Sequence, residues 1–169
     1  MSQLKFLEFH VSDQVFAVDV LAVQEVSNPL ETTPIAEVSP YVLGIALFRG
    51  RPLAVIDLRK RFNVEGSGRG RLIVLKPGED SPALVVDDIV GIRDVDQEAL
   101  KRPEKVYRGL KQRYIESLYE RDGQVVVVLR VPELLKSQER IILRKALKKA
   151  SSEVLSKGKN ERTESKKSS

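Results

Sequence analysis

The chain of 169 residues contains no cysteine and no tryptophan, a single histidine and a single methionine, and only 5% aromatic residues. Without cysteine there is no disulfide framework, no thiolate metal site and no cysteine nucleophile. Without tryptophan and with few other rings, the core must rest on Val, Leu and Ile. No stretch approaches the roughly 18 apolar residues that a membrane-spanning helix needs. The N-terminal MSQLKFLEFHV has no basic head followed by a long apolar run, so no signal peptide is predicted. The remaining composition, 41% hydrophobic and 31% charged, is that of an ordinary globular protein long enough to bury a core.

The formal net charge of +5 suggests nucleic-acid binding until it is divided along the chain. Residues 1–135 hold 18 Lys/Arg against 20 Asp/Glu, and residues 136–169 hold 11 against 4. The body is therefore mildly acidic and the excess of cations lies at the C-terminal end, which argues against a basic nucleic-acid face on the body.

Short strands separated by turn signals dominate the first 131 residues. Leu4 to Val11 and Val15 to Val18 read as a hairpin around Ser12-Asp13-Gln14, followed by a helical turn capped by Asp19. Glu25-Val26 leads into the turn signal Ser27-Asn28-Pro29, and Thr32 to Ala36, with Pro34, reads as an extended edge piece. YVLGIALFRGRPLAVIDL, Tyr41 to Leu58, is the most informative segment: two apolar strands pivoting on Arg49-Gly50-Arg51-Pro52. Apolar runs of this length suit strands buried on both faces. An arginine at such a junction must keep its charge paired or solvated, which places it at an edge, groove or interface.

Asn63 to Gly70, NVEGSGRG, reads as a polar loop and as the boundary between two lobes. Beyond it come strands at Arg71–Lys76, Pro82–Val86 and Ile89–Val95, with a turn at Pro77–Ser81 and a helical turn plus loop over Asp96–Tyr107. The hairpin Tyr114–Glu120 and Gln124–Leu129 turns at Asp122-Gly123, a type I′ signal. About five strands on each side suggest two small closed barrels. A helix is predicted from Pro132 to about residue 150, carried by Leu134, Leu135, Gln138, Ile141 and Ile142, with a basic disordered tail over 151–169.

Nothing in the sequence assembles an active site. His10 stands alone on a strand, and no His, Asp or Glu cluster has metal-ligand spacing. Asp87-Asp88 reads as a solvated strand junction. Gly66-Ser67-Gly68-Arg69-Gly70 lacks the Lys-Ser/Thr ending of a phosphate loop. No catalytic residue, cofactor or metal is expected.

Over residues 4–136 the order of motifs resembles the CheW family of chemotaxis coupling proteins. The resemblance rests on FLEFHVSDQVFAVDVLAVQEV with its V-x-E-V segment Val23-Gln24-Glu25-Val26, and on Pro34 followed by Pro40-Tyr41-Val42 and Gly44-Ile45. Arg49-Gly50 with Ile56-Asp57-Leu58, Val85-Val86-Asp87 with Val90, and the Asp122-Gly123 hairpin complete it. Leu47-Phe48, Ala54 and Arg130 depart from the family's usual residues. The resemblance implies an all-β fold with a C-terminal helix, two SH3-like five-stranded barrel lobes side by side. It also implies a non-catalytic adaptor in the cytoplasm at receptor arrays. Its partners would be the cytoplasmic tip of methyl-accepting chemoreceptors and the regulatory domain of the histidine kinase CheA, with the membrane reached only through the array and no nucleic acid bound. The groove between the lobes would take a receptor helix.

Carried onto this sequence, the resemblance marks Val23 as an apolar contact and Glu25 as a polar or ionic one. Gly44 allows close approach of backbone or partner, or simply a strand bend. Arg49 presents its guanidinium fork to a receptor carboxylate or carbonyl, or pairs with Asp57 to lock the turn. Gly50 makes the turn, and Asp57 is more structural than binding. The competing reading is a nucleic-acid or ribosome-associated SH3-like barrel that uses the basic C-terminal segment.

Overall fold

A computed structural model describes residues 2–78, 81–103, 106–107 and 110–167, with the backbone alone at 106–107 and 157–167. Part of the expected turn at Pro77–Ser81, part of the Asp96–Tyr107 segment and the last two residues lie outside the described residues. Among the described residues, twelve strands form two five-stranded sheets and a two-stranded ribbon. The first sheet runs β11 (Ile115–Arg121), β12 (Gln124–Leu129), β2 (Gln14–Asp19), β1 (Gln3–Val11), β8 (Asp88–Asp96). The second runs β3 (Val23–Ser27), β6 (Arg71–Leu75), β7 (Ala83–Val86), β5 (Arg51–Asp57), β4 (Val42–Phe48). The ribbon pairs β9 (Val106–Tyr107) with β10 (Leu110–Lys111). Two five-stranded lobes are the fold that the sequence led us to expect.

The division between the lobes differs from the expected one. Asn63–Gly70 joins the short helix α1 (Leu58–Arg61) to β6, and both β5 and β6 belong to the second sheet. The chain starts the first lobe with β1 and β2, builds the whole second lobe, and returns at β8. A polar glycine-rich loop marks a surface connection, whereas lobe membership is set by pairing between distant strands, which local composition does not encode.

Three apolar clusters explain the continuous hydrophobic runs. Phe6, Val15, Ala17, Tyr119, Val126 and Val128 fill the first lobe. Ala46, Phe48, Leu53, Val55, Leu72 and Val74 are among those that fill the second. The largest cluster lies between the lobes: Leu7, Phe9 and Phe16 from one sheet meet Ile56, Ile73 and Leu84 from the other. Each sheet thus has a barrel interior on one face and the shared core on the other, so central strands need apolar residues at every position. β5 is buried from Leu53 to Asp57, whereas the edge strand β4 alternates.

Glu8 is fully buried in the first lobe, a position that the sequence does not single out. It accepts from the Tyr119 hydroxyl at 2.6 Å and from Arg121 Nε at 2.8 Å, with Arg93 Nε at 3.6 Å. Burial, and then the Glu8 carboxylate, push the Tyr119 phenol well above its usual range. Because the two arginines can turn to water, Glu8→Ala is expected to cost about 2–3 kcal/mol, below the usual loss for a broken buried pair. Urea denaturation measures it, and a loss under about 0.5 kcal/mol would show the network to be neutral.

The C-terminal region also departs from expectation at both ends. Val131–Leu134 forms a 3-10 turn that buries Leu134, and the long helix α2 begins only at Ser137 and runs to Lys167. It therefore covers most of the segment expected to be disordered. Its Lys- and Glu-rich turns are good helix formers extending a helix already nucleated by packing. Leu143 is the residue it buries in the shared core, while Ile141 is exposed.

A buried polar latch fixes the start of α2. Glu139 accepts from Ser39 N at 3.0 Å and from the Tyr41 hydroxyl. Arg61 lies over the Tyr41 ring at 4.6 Å and the Tyr114 ring at 4.8 Å, and donates to Leu134 O at 2.6 Å. Burial, then the hydrogen bond to Glu139, raises the Tyr41 phenol from 10.0 to about 12. Burial alone would raise Glu139, but donation from Ser39 and Tyr41 outweighs it and holds the carboxyl below its ordinary range.

These shifts fix the sign of the pH dependence. Between pH 10 and about 12 the folded state keeps the Tyr41 proton that the unfolded state loses, so this contribution fades as pH rises through that window. The Glu139 contribution is present above the ordinary carboxylate pKa and fades as pH falls through the lowered one. Tyr41→Phe is expected to cost about 1–2 kcal/mol at neutral pH and to flatten the alkaline limb. Denaturation midpoints from pH 7 to 11 test this, and an unchanged alkaline slope would contradict it.

Candidate partner-binding face

The β4–β5 hairpin turns on two residues in the left-handed region, Arg49 at φ 50° and Gly50 at φ 78°, with Phe48 paired to Arg51. This is the type I′ geometry, which suits the twist of the flanking strands, and it aims the Arg49 side chain off the end of the hairpin. There it meets β3. Arg49 Nη2 lies 2.7 Å from Glu25 Oε1, and its guanidinium sits 5.3 Å from the Phe48 ring centre. Arg51 Nη2 donates to Gln24 Oε1 at 2.9 Å and to Leu75 O at 3.3 Å. Since β3 and β4 are the two outer strands of their sheet, these contacts tie one edge of the lobe to the other.

A bulge in β3 between Val23 and Glu25 lets both Gln24 and Glu25 reach the turn. Val23, half-buried, packs against the shared core. Four predicted residues therefore gather at one end of the second lobe: Val23, Glu25, Arg49 and Gly50. The Arg49 side chain remains 69% exposed, leaving much of its fork open to a further acceptor.

Gly44 and Asp57 lie elsewhere. At Gly44 φ is +136°, and a Cβ would fall 2.1 Å from Thr33 O. The close approach is made by the protein's own backbone, where Thr33 and Ile45 exchange hydrogen bonds of 2.8 and 2.9 Å. Asp57 stands beyond Ile56, which pairs with Val42 at the far end of the hairpin. Six steps along the extended strand separate it from Arg51, about 20 Å, so it does not lock the Arg49 turn. It caps α1 by accepting from Arg59 N at 2.9 Å and pairs with Arg59 Nε at 3.1 Å. The hydrogen bond to Asp57 raises the Arg59 guanidinium further. Arg59 also reaches Asp87 at 3.4 Å, and Asp87 accepts from Ser12 N at 2.7 Å.

Two apolar residues that the sequence does not single out are exposed on β8 and at the turn into β3. Ile92 on the outer strand β8 is 59% exposed and stands opposite Leu7, whose side chain enters the shared core. Opposed residues share a face of the sheet, so Ile92 continues the shared core out to its rim. Leu21, 73% exposed, sits on the 3-10 turn between β2 and β3, which lies against β1. β8 reads Asp-Ile-Val-Gly-Ile-Arg-Asp-Val-Asp and does not alternate strictly, so no period-two signal marks Ile92, and a single leucine in a three-residue turn carries none either. Among the described residues no His, Asp and Glu gather in a metal-binding group.

The CheW-like domain model matches residues 5–139. The chain is 25% identical over 144 residues to the chemotaxis protein CheW of Treponema pallidum, covering 81% of this chain and 85% of that one. It is 25% identical over 139 residues to the chemotaxis protein CheW of Helicobacter pylori, covering 79% and 82%. Among solved structures, the scaffolding protein TtCheW from Thermoanaerobacter tengcongensis superposes with a TM-score of 0.73 at 23% identity, covering 80% of this chain and 94% of that one. With the matched region spanning both lobes and reaching the first turn of α2, the chain belongs to the CheW-like domain family.

Proposed function

We propose that this protein is a non-catalytic chemotaxis adaptor that joins the cytoplasmic tips of chemoreceptors to the regulatory domain of the histidine kinase CheA. Family membership supports the role, and the observation that carries the assignment of a surface is the rim between the lobes. Leu21 and Val23 lie just before Glu25, which pairs with Arg49, and Ile92 is exposed on the outer strand β8 opposite the core residue Leu7. An amphipathic receptor helix laid along that rim covers the apolar residues and offers carboxylates or carbonyls to the open side of Arg49. Glu25 orients the guanidinium and itself accepts from polar groups of the partner. The adaptor works in the cytoplasm and meets the membrane only through the receptor array.

Titration of the full chain with a receptor-tip fragment and with the CheA regulatory domain, separately and together, tests the reading. Binding of each alone and of both at once is expected. Failure to bind either, or salt-dependent retention on RNA in their place, would overturn it.

A further inference from the structure

The family match ends at residue 139, and α2 continues for 28 residues beyond it, to Lys167. From Glu139 to Val154 the inner face of that helix is fixed to the body. Glu139 and Leu143 are buried, Leu147 packs against the shared core, and Ala150 and Val154 close a groove of about 730 Å³ over Leu30 and Leu47. The opposite face is therefore held outward in a defined orientation.

On that outward face Ile141, Lys145, Lys148, Ser152 and Leu155 are all exposed. Their spacing alternates four and three residues, the interval of a helix–helix seam. The same spacing in the sequence continues at Lys159, Arg162 and Lys166, and none of these eight positions is acidic. The apolar pair, Ile141 at 54% exposure and Leu155 at 69%, is separated by two heptads, about 21 Å along the axis. Lys148 stands midway on the same line.

We infer that this stripe is a docking seam for an acidic amphipathic helix of another protein. Two copies of the stripe cannot pair with each other, because lysines would oppose lysines along most of its length. A partner helix with carboxylates facing the cations and an apolar residue facing each of Ile141 and Leu155 would satisfy every position. An anionic bilayer is a poorer fit, since two apolar residues two heptads apart supply little area to insert. A nucleic-acid backbone would neutralise the lysines and leave both apolar side chains without a use. The inference does not depend on the adaptor role proposed above, whose surface lies at the rim between the lobes.

The test uses the full chain and a synthetic acidic peptide of about four heptads, with Leu along one seam position and Glu beside it. A second peptide of equal charge carries Ser in place of Leu. Phosphatidylglycerol-containing vesicles and a DNA duplex serve as the other polyanions. The Leu peptide is expected to bind with a gain of helicity, and the Ser peptide at least about tenfold more weakly. Ile141→Ser with Leu155→Ser should weaken the Leu peptide by a similar factor, and Lys145→Glu with Lys148→Glu should abolish binding, both with unchanged melting temperature. Equal binding of the two peptides would reduce the stripe to a polycation and overturn the inference. So would absent peptide binding, or tighter retention on vesicles or duplex than on the Leu peptide.

Discussion

Gly44→Ala is expected to destabilise the protein by about 4 kcal/mol or more, placing it among the most damaging single substitutions. Two independent effects act at this position. The backbone sits at φ +136°, which side chains of L-residues rarely adopt, and the added Cβ would overlap the Thr33 carbonyl, 2.1 Å from its oxygen and 2.6 Å from its carbon. Because the obstacle is backbone, no rotamer change relieves it. Either Thr32–Pro34 swings off the β4 edge, losing both hydrogen bonds to Ile45, or the bulge between Val42 and Gly44 is rebuilt. Gly50→Ala is the internal control. It too has positive φ, 78°, but nothing lies within 4 Å of its Cβ, so about 1–2 kcal/mol of backbone strain is expected. Urea midpoints of the two variants should therefore differ clearly. Equal losses would mean that the Thr33 strap contributes nothing to the second lobe.

Glu25→Lys is expected to leave the fold within about 1 kcal/mol of the native stability, since the ion pair it breaks is solvent-exposed on the arginine side. Affinity for the receptor tip should nevertheless fall by tenfold or more, because two cations then repel each other at the partner's polar contact. The reciprocal exchange, Glu25→Arg with Arg49→Glu, separates the two roles of the pair. If the pair only closes the lobe, the exchange restores both stability and binding. If the pair also contacts the partner, stability returns while binding stays weak, because the charges then face the partner in the wrong order; this second outcome is expected. Titration of the single and double variants with a receptor-tip fragment decides between them.

Features whose partners are near in sequence were legible before the structure. The Asp122-Gly123 turn lies between β11 and β12 with φ 52° and 77°, Asp19 caps its 3-10 turn, and β4 ends at Phe48, directly before the expected pivot at Arg49. The features that were missed depend on distant partners. Val23–Ser27 becomes a strand because β6, some fifty residues on, pairs with it; five residues with a central Gln-Glu pair carry no strand signal alone. Arg49 finds Glu25 rather than Asp57 because the bulge in β3 brings Glu25 to the turn. Nothing in the sequence singles out Glu8, and only the closure of the first lobe shows that it is sealed beside Tyr119 and Arg121. Among the six predicted site residues, the structural role expected for Asp57 and the strand-bend alternative for Gly44 agree with the geometry, but sequence order alone does not tell that Asp57 caps α1 or that Thr33 is the backbone packed against Gly44.

The central claim is that the rim between the lobes, flanked by the Arg49 turn, holds another protein's helix. Amide chemical-shift mapping of the full chain during titration with a receptor-tip fragment tests it most directly. Perturbations concentrated at Leu21, Val23, Glu25, Arg49 and Ile92 are predicted, with the α2 stripe unaffected. Saturable binding whose perturbations fall elsewhere and leave those five amides unmoved would contradict the account.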